Sequence, residues 1–279
     1  MNHPATHPHH HVPLNEGKVP PWAHVLELAA PLALGQRGLV CGPGGSGRTT
    51  VLQHLASCLA RSVDRIECVL VDVRIEEQVA WRELLPDARI HASDASAGPE
   101  EHAELTACFA DALPAADQGA HVGIVVDSLG GLARALNAVD TEVDRVLSGG
   151  LAATALQELR RCFAVARALE GAGSVTVLAT APSGDAAELD AVLVEELVGT
   201  GNAEWRLQSV PHAPELLPLV DIERSGSRFE EEILGEAAAA RRGALRGRLL
   251  EHGGLGGLGL LEDQLERLGG LDAMLDALR

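Results

Sequence analysis

Four short runs, at residues 38–41, 68–72, 122–127 and 174–180, are rich in Val, Leu and Ile and apolar at nearly every position. A strand with one wet face alternates polar and apolar residues; a strand apolar throughout has to be covered on both faces. The stretches between them supply covers. At 48–61, 101–113 and 151–169, Leu and Ala recur three and four residues apart, the spacing of a helix with a buried face. Strand and helix patterns in alternation predict βαβ units around a mostly parallel sheet with helices on both sides, an α/β fold. After residue 200 the extended pieces shorten, to 204–208 and 217–222, and a helix-rich end follows in which the glycine-rich stretch 253–260 is expected to connect helices. The expected organisation is a single core over 22–235 and a helical extension over 236–279, preceded by a segment, 1–21, whose histidines and prolines leave little to pack and which is expected to be disordered.

Composition narrows the chemistry. Aromatic residues are 2% of the chain, so a core of ordinary size must be built from Leu, Val and Ala. The formal charge of −18 argues against coating a nucleic acid through the overall field, and any RNA contact would be local. Lys18 is the only lysine, which leaves the core none for catalysis. Cys41, Cys58, Cys68, Cys108 and Cys162 are scattered, without a C-x-x-C pair, and suit buried thiols in a reducing cytoplasm. No apolar run reaches the length of a membrane span, and a soluble cytoplasmic protein is expected.

The segment Gly42-Pro43-Gly44-Gly45-Ser46-Gly47-Arg48-Thr49-Thr50 joins the first predicted strand to the first predicted helix. It matches the phosphate-loop pattern Gly-x-x-x-x-Gly-Lys-Ser/Thr except at the lysine. Glycines let such a loop turn its N–H groups inward, and the helix N-terminus adds a positive dipole end, so that ATP phosphates would be cradled by residues 42–50. Thr49 would ligate Mg²⁺. Arg48 stands where a compact ammonium should touch the β- and γ-phosphates, and its planar guanidinium is a poorer point charge. Asp127 ends the third apolar run, where phosphate-loop enzymes order the same Mg²⁺.

Longer matches then carry a resemblance. Val25-Leu26-Glu27-Leu28-Ala29-Ala30-Pro31 with Gly35-Gln36-Arg37-Gly38, Asp127-Ser128-Leu129 with Leu132-Ala133-Arg134-Ala135-Leu136-Asn137, and Val146-Leu147-Ser148-Gly149-Gly150-Leu151 resemble successive signatures of the ATPase domain of the transcription termination factor Rho family. So do Gly199-Thr200-Gly201-Asn202 and Arg224-Ser225-Gly226-Ser227-Arg228. The resemblance implies a RecA-like fold and ATP bound with Mg²⁺ between neighbouring subunits of a ring, up to a hexamer. It further implies Arg228 as an arginine finger reaching the neighbour's γ-phosphate, with Arg134 and Arg224 near that interface.

Departures from the family pattern cluster at the chemistry. Val73 stands in place of the glutamate that polarises the attacking water, and valine can neither accept a proton nor orient a nucleophile. Gly131 replaces an arginine, Leu217 replaces the phenylalanine that stacks on adenine, and Glu188 replaces a basic residue facing RNA in the pore, while Arg145 keeps its charge. Three functions stay open on these residues. One is an ATP-binding regulatory module with weak or absent hydrolysis, partnered by further copies of itself, by Rho or by another protein of the transcription machinery. Another is an active RNA-dependent ATPase in which Glu76 or Glu77 orients the water, and the third is a scaffold that binds no nucleotide.

Overall fold

The computed structural model describes residues 3–93, 98–138, 150–183, 197, 199–209, 218–251, 261, 263–265 and 267–277. The four apolar runs become β4 (Arg37–Gly42), β5 (Arg65–Val71), β7 (His121–Asp127) and β9 (Ser174–Pro182). They lie parallel in the order β4, β9, β7, β5, with β6 (Arg89–Ser93) beyond β5 and β10 (Ala203–Gln208) beyond β4. Antiparallel pieces trim the sheet: β8 (Arg167–Leu169) pairs with β9, and β11 (Leu219–Val220) and β12 (Gly226–Ser227) pair with β10.

Successive strand residues face opposite ways, and the sequence honours this on both sides. Cys68 and Leu70 join a buried cluster with α1 (Pro21–Ala29), α2 (Arg48–Ala60) and α3 (Ile75–Leu84). Their neighbours Val69 and Val71 join a second cluster, with α4 (Pro99–Asp117), α5 (Leu129–Ala138) and α6 (Ala153–Ala164). Of the helices that follow, α7 (Glu230–Leu234) is a single turn, whereas α8 (Glu236–Glu251) and α9 (Leu271–Ala277) put Leu245, Leu249, Leu271, Met274 and Leu275 into the first cluster. Each such buried side chain contributes about 1.5–3 kcal/mol. With so few rings available, Trp81 and Trp205 are both wholly buried, and the Trp205 indole N–H donates to the carbonyls of Ala30 (3.0 Å) and Leu26 (3.3 Å).

Two expectations need correction. The helix expected over 151–169 stops at Ala164, because Arg167 and Ala168 turn to pair with Val175 and Ser174. The first segment is also not a loose tail over its described residues. Two strands tie it down: β1 (Ala5–Thr6) pairs with β8, and β2 (His11–Val12) pairs with β3 (Leu32–Ala33). Val12 and Leu14 are buried, and these two aliphatics, with the backbone between the prolines, suffice to dock a segment whose composition is otherwise poor in packing groups. The connector expected at 253–260 lies outside the described residues.

Candidate nucleotide site

The loop between β4 and α2 is shaped by its glycines. Gly45 and Gly47 adopt left-handed φ values of 74° and 87°, and a Cβ on Gly47 would lie 3.0 Å from that of Pro218. At Gly42 a Cβ would come within 2.5 Å of the Ser46 hydroxyl oxygen. Gly44 and Gly45, by contrast, face open space. Helix α2 begins at Arg48 with no side chain capping it and no acidic residue in its first turn, so its leading N–H groups keep their capacity for an anion. The Ser46 hydroxyl is buried yet makes no hydrogen bond among the described residues. An open glycine face, an uncapped helix start and a buried orphan hydroxyl together fit a phosphate group.

The cation side of the site is equally defined. Asp127, 6% exposed at the end of β7, accepts a hydrogen bond from the Thr49 hydroxyl (3.0 Å) at one carboxylate oxygen and from the Thr180 hydroxyl (2.7 Å) at the other. Burial raises its pKa above the ordinary 3.8. The two threonines and the nearby charge of Arg48 work against that rise, and the charge of Glu77 adds to it. A buried carboxylate with two neutral donors and a net upward shift fits a divalent cation, which would restore the lost solvation.

The predicted residues do not all meet here. Gly42 through Thr49, together with Asp127, assemble at the C-terminal ends of β4 and β7, with Thr50 exposed on the next position of α2. Val73 turns its side chain toward the apolar core, and its carbonyl accepts from the Gln78 amide (3.0 Å). The preceding residue, Asp72, has a left-handed φ of 59° and pairs with Arg134 at 3.1 Å, which places Arg134 at the loop end of the sheet. At Gly131 a Cβ would lie 2.7 Å from the Val71 carbonyl oxygen, so α5 packs where an arginine would force it off the sheet. Arg224 is exposed, its N–H donating to Asp221 (3.1 Å).

Arg228 is exposed at the other end. Its N–H donates to the Asn202 carbonyl (2.8 Å), and Asn202 in turn pairs with Arg37, the first residue of β4. The loop follows the last residue of β4, so about 16 Å of strand separates the two within one chain. Leu217, Glu188, Arg145 and residues 146–149 lie outside the described residues. Sequence reasoning placed Ser46 in the loop but missed Thr180. Thr180 was legible as a polar residue near the end of an apolar strand, but only strand order puts it beside Asp127.

Comparison with known proteins gives the family and agrees with the fold. Residues 23–227 match the ATP synthase alpha/beta family, nucleotide-binding domain. The chain is 36% identical over 214 residues to transcription termination factor Rho of Aquifex aeolicus, covering 75% of this chain and 49% of that protein. It is 39% identical over 215 residues to Rho of Streptosporangium roseum (76% and 56%) and 34% identical over 264 residues to Rho of Streptomyces coelicolor (94% and 63%). It thus spans about half to three-fifths of the length of these relatives. In three dimensions it is similar to a prototypical ATPase from the type III secretion system of pathogenic bacteria, with a TM-score of 0.69 at 20% identity, over 82% of this chain and 66% of that one. The solved structure shares the fold, a mostly parallel sheet with helices on both faces, and with the match over residues 23–227 the chain belongs to the ATP synthase alpha/beta family through its nucleotide-binding domain.

Proposed function

We propose that this chain binds ATP at residues 42–50, with Mg²⁺ held at Thr49 and Asp127, and acts as a nucleotide-responsive module related to transcription termination that hydrolyses ATP weakly or not at all. The observation that carries this is the buried Asp127 carboxylate, bracketed by Thr49 and Thr180 beside a loop whose Ser46 hydroxyl has no partner among the described residues. When bound, Mg²⁺ supplies charge neutralisation of the phosphate oxygens. The chain's own residues then divide the work: backbone N–H groups of the loop hold phosphate, Arg48 adds a diffuse positive charge, and Thr49 and Asp127 face the cation. With valine at position 73, the residue that should orient the water is missing. Loss of one such group, or of the loop lysine, costs about 3 kcal/mol of transition-state stabilisation by analogy with other electrostatic catalytic groups.

Arg228 has no function toward the loop of its own chain, and the reading includes a second copy of the chain that presents its nucleotide to this guanidinium, in a ring or smaller assembly. Bidentate pairing with phosphate oxygens would then serve as glue. RNA is disfavoured as the ligand by the net charge of −18 and by Glu188.

Melting temperature at millimolar ATP, with and without Mg²⁺, tests the reading; a ligand at a hundredfold excess over its Kd stabilises by about 2.7 kcal/mol. No shift in either condition would sink it. One observation favours a second reading, an active ATPase. Glu77 is half-buried in the first turn of α3, and its charge is felt at Asp127. RNA-stimulated turnover that vanishes in both Thr49→Ala and Glu77→Gln would establish that alternative.

A further inference from the structure

The Gly35-Gln36-Arg37 turn has no part in holding nucleotide, yet it is among the most thoroughly bonded pieces of the molecule. Gly35 has a left-handed φ of 91°, and its backbone lies so close to Ala168 that a Cβ would not fit. Gln36 is wholly buried, with both ends of its amide engaged. The oxygen accepts from the Ala33 N–H (2.8 Å), and the nitrogen donates to the Ser227 hydroxyl (2.7 Å). Ser227 immediately precedes Arg228 and donates to its carbonyl (3.3 Å). Arg37 completes the turn: its N–H donates to the Asn202 side chain (2.7 Å), and its guanidinium donates to the carbonyls of Thr200 (2.7 Å) and Ala166 (2.9 Å).

Three sequence signatures, far apart in the chain, therefore meet at one place. The turn at 35–37 braces both the 199–202 turn and the 224–228 hairpin, and Arg228 sits where the two join. What remains unengaged is informative. Arg167 spends its guanidinium on the carbonyls of Val165 (3.2 Å) and Ala164 (2.9 Å), as Arg37 does on its own pair. Burial lowers the Arg37 pKa, and Arg167 and Arg228 are each close enough for their like charges to lower it further. Among the described residues no hydrogen bond or ion pair engages the Arg228 guanidinium. Its backbone is held on two sides while its charged end is left to face outward.

We propose that Gln36 is a positioning residue for Arg228: through Ser227 it fixes the direction in which this guanidinium leaves the surface to meet a nucleotide on a second copy of the chain. The inference rests on the reading of Arg228 as an intermolecular phosphate ligand. Pre-ordering matters here because an arginine free to sample its rotamers loses that freedom on binding, and a fixed backbone direction lowers the loss.

The test pairs two measurements on the full chain, ATP affinity of the dilute protein and Mg-ATP-dependent self-association by light scattering. Ser227→Ala and Gln36→Leu should keep the affinity within about twofold while weakening association about fivefold to tenfold, the scale of one lost buried hydrogen bond. Ser227→Thr, which retains the hydroxyl, should associate like the unaltered protein. Adding Arg228→Ala to Ser227→Ala should cost less than the two single losses combined, a coupling that mere loosening of the fold would not produce. Should Gln36→Leu fail to fold, Ser227→Ala and its threonine control carry the test alone. Unchanged association in Ser227→Ala overturns the positioning role. Absence of Mg-ATP-dependent association in the unaltered protein overturns the intermolecular reading, and this inference with it.

Discussion

Two carboxylates are buried almost equally and in opposite circumstances. Glu27, on α1, is wholly inaccessible and receives three donors from two distant parts of the chain: Arg242 of α8 (2.6 Å), and His11 of β2 (2.9 Å) with the nearby Leu14 N–H (3.0 Å). Burial alone would push its pKa up, but the bond from His11 and the charge of Arg242 outweigh it, and the carboxyl is held below the ordinary 4.5. Among the described residues Asp127 has only two hydroxyl donors, and its pKa stays raised. Glu27 is a finished junction that ties the first segment and α8 to the body. Asp127 is an unfinished one, and what it lacks is positive charge of the kind a bound cation brings. Burial of charge is structural where the protein itself supplies the counter-charge, and points to a ligand where it does not.

The contrast can be broken most forcefully at Glu27. Glu27→Ala leaves Arg242 buried without its counter-ion and should cost about 3–5 kcal/mol of stability in urea unfolding. A loss below about 1 kcal/mol would mean that the junction is not what holds these three segments together.

Acid should produce a smaller loss of the same sign. Glu27 lies below its ordinary value, and His24 and His54 lie below 6.5, in both cases chiefly through burial. For all three the unfolded chain takes up protons first. Their contribution is fully present above pH 6.5 and is lost as pH falls through 6.5 and then through 4.5. Asp127 acts the other way, since its raised pKa makes it a burden at neutral pH that acid relieves. A urea midpoint that rises between pH 7 and pH 4 would show Asp127 dominating the other three.

The smallest effect sharpens the contrast most. Asp127→Asn removes a buried charge that forms no ion pair among the described residues and should leave stability unchanged or raise it by about 1 kcal/mol without Mg²⁺. It should also abolish any Mg²⁺ dependence of nucleotide binding. Destabilisation by more than about 2 kcal/mol would make Asp127 a structural anchor like Glu27.

Much of this was legible along the chain. The four apolar runs emerged as parallel strands because a residue sequence apolar on both faces has no stable place except inside a two-sided sheet, and the glycine loop was recognisable because its φ values and close approaches exclude side chains at 42 and 47. The disorder expected of the first segment failed because composition averages over residues, whereas docking rests on a few of them: two short strand pairings, the buried Val12 and Leu14, and the bonds of His11 and the Leu14 N–H to Glu27. Gly131 read as a lost arginine; packing of α5 against Val71 leaves no room for one.

The sequence by itself determined the local chemistry: strand and helix periodicity, the phosphate loop, the acidic strand end and the substitutions at 48 and 73. Tertiary structure alone decided which distant groups meet, because contact depends on strand order and not on spacing. Strand order sets Thr180 beside Asp127, places Arg228 at the far end of the sheet from its own loop, and brings Gln36 against Ser227 across 191 positions of chain. It is also what gives Glu27 its arginine and leaves Asp127 with two hydroxyls.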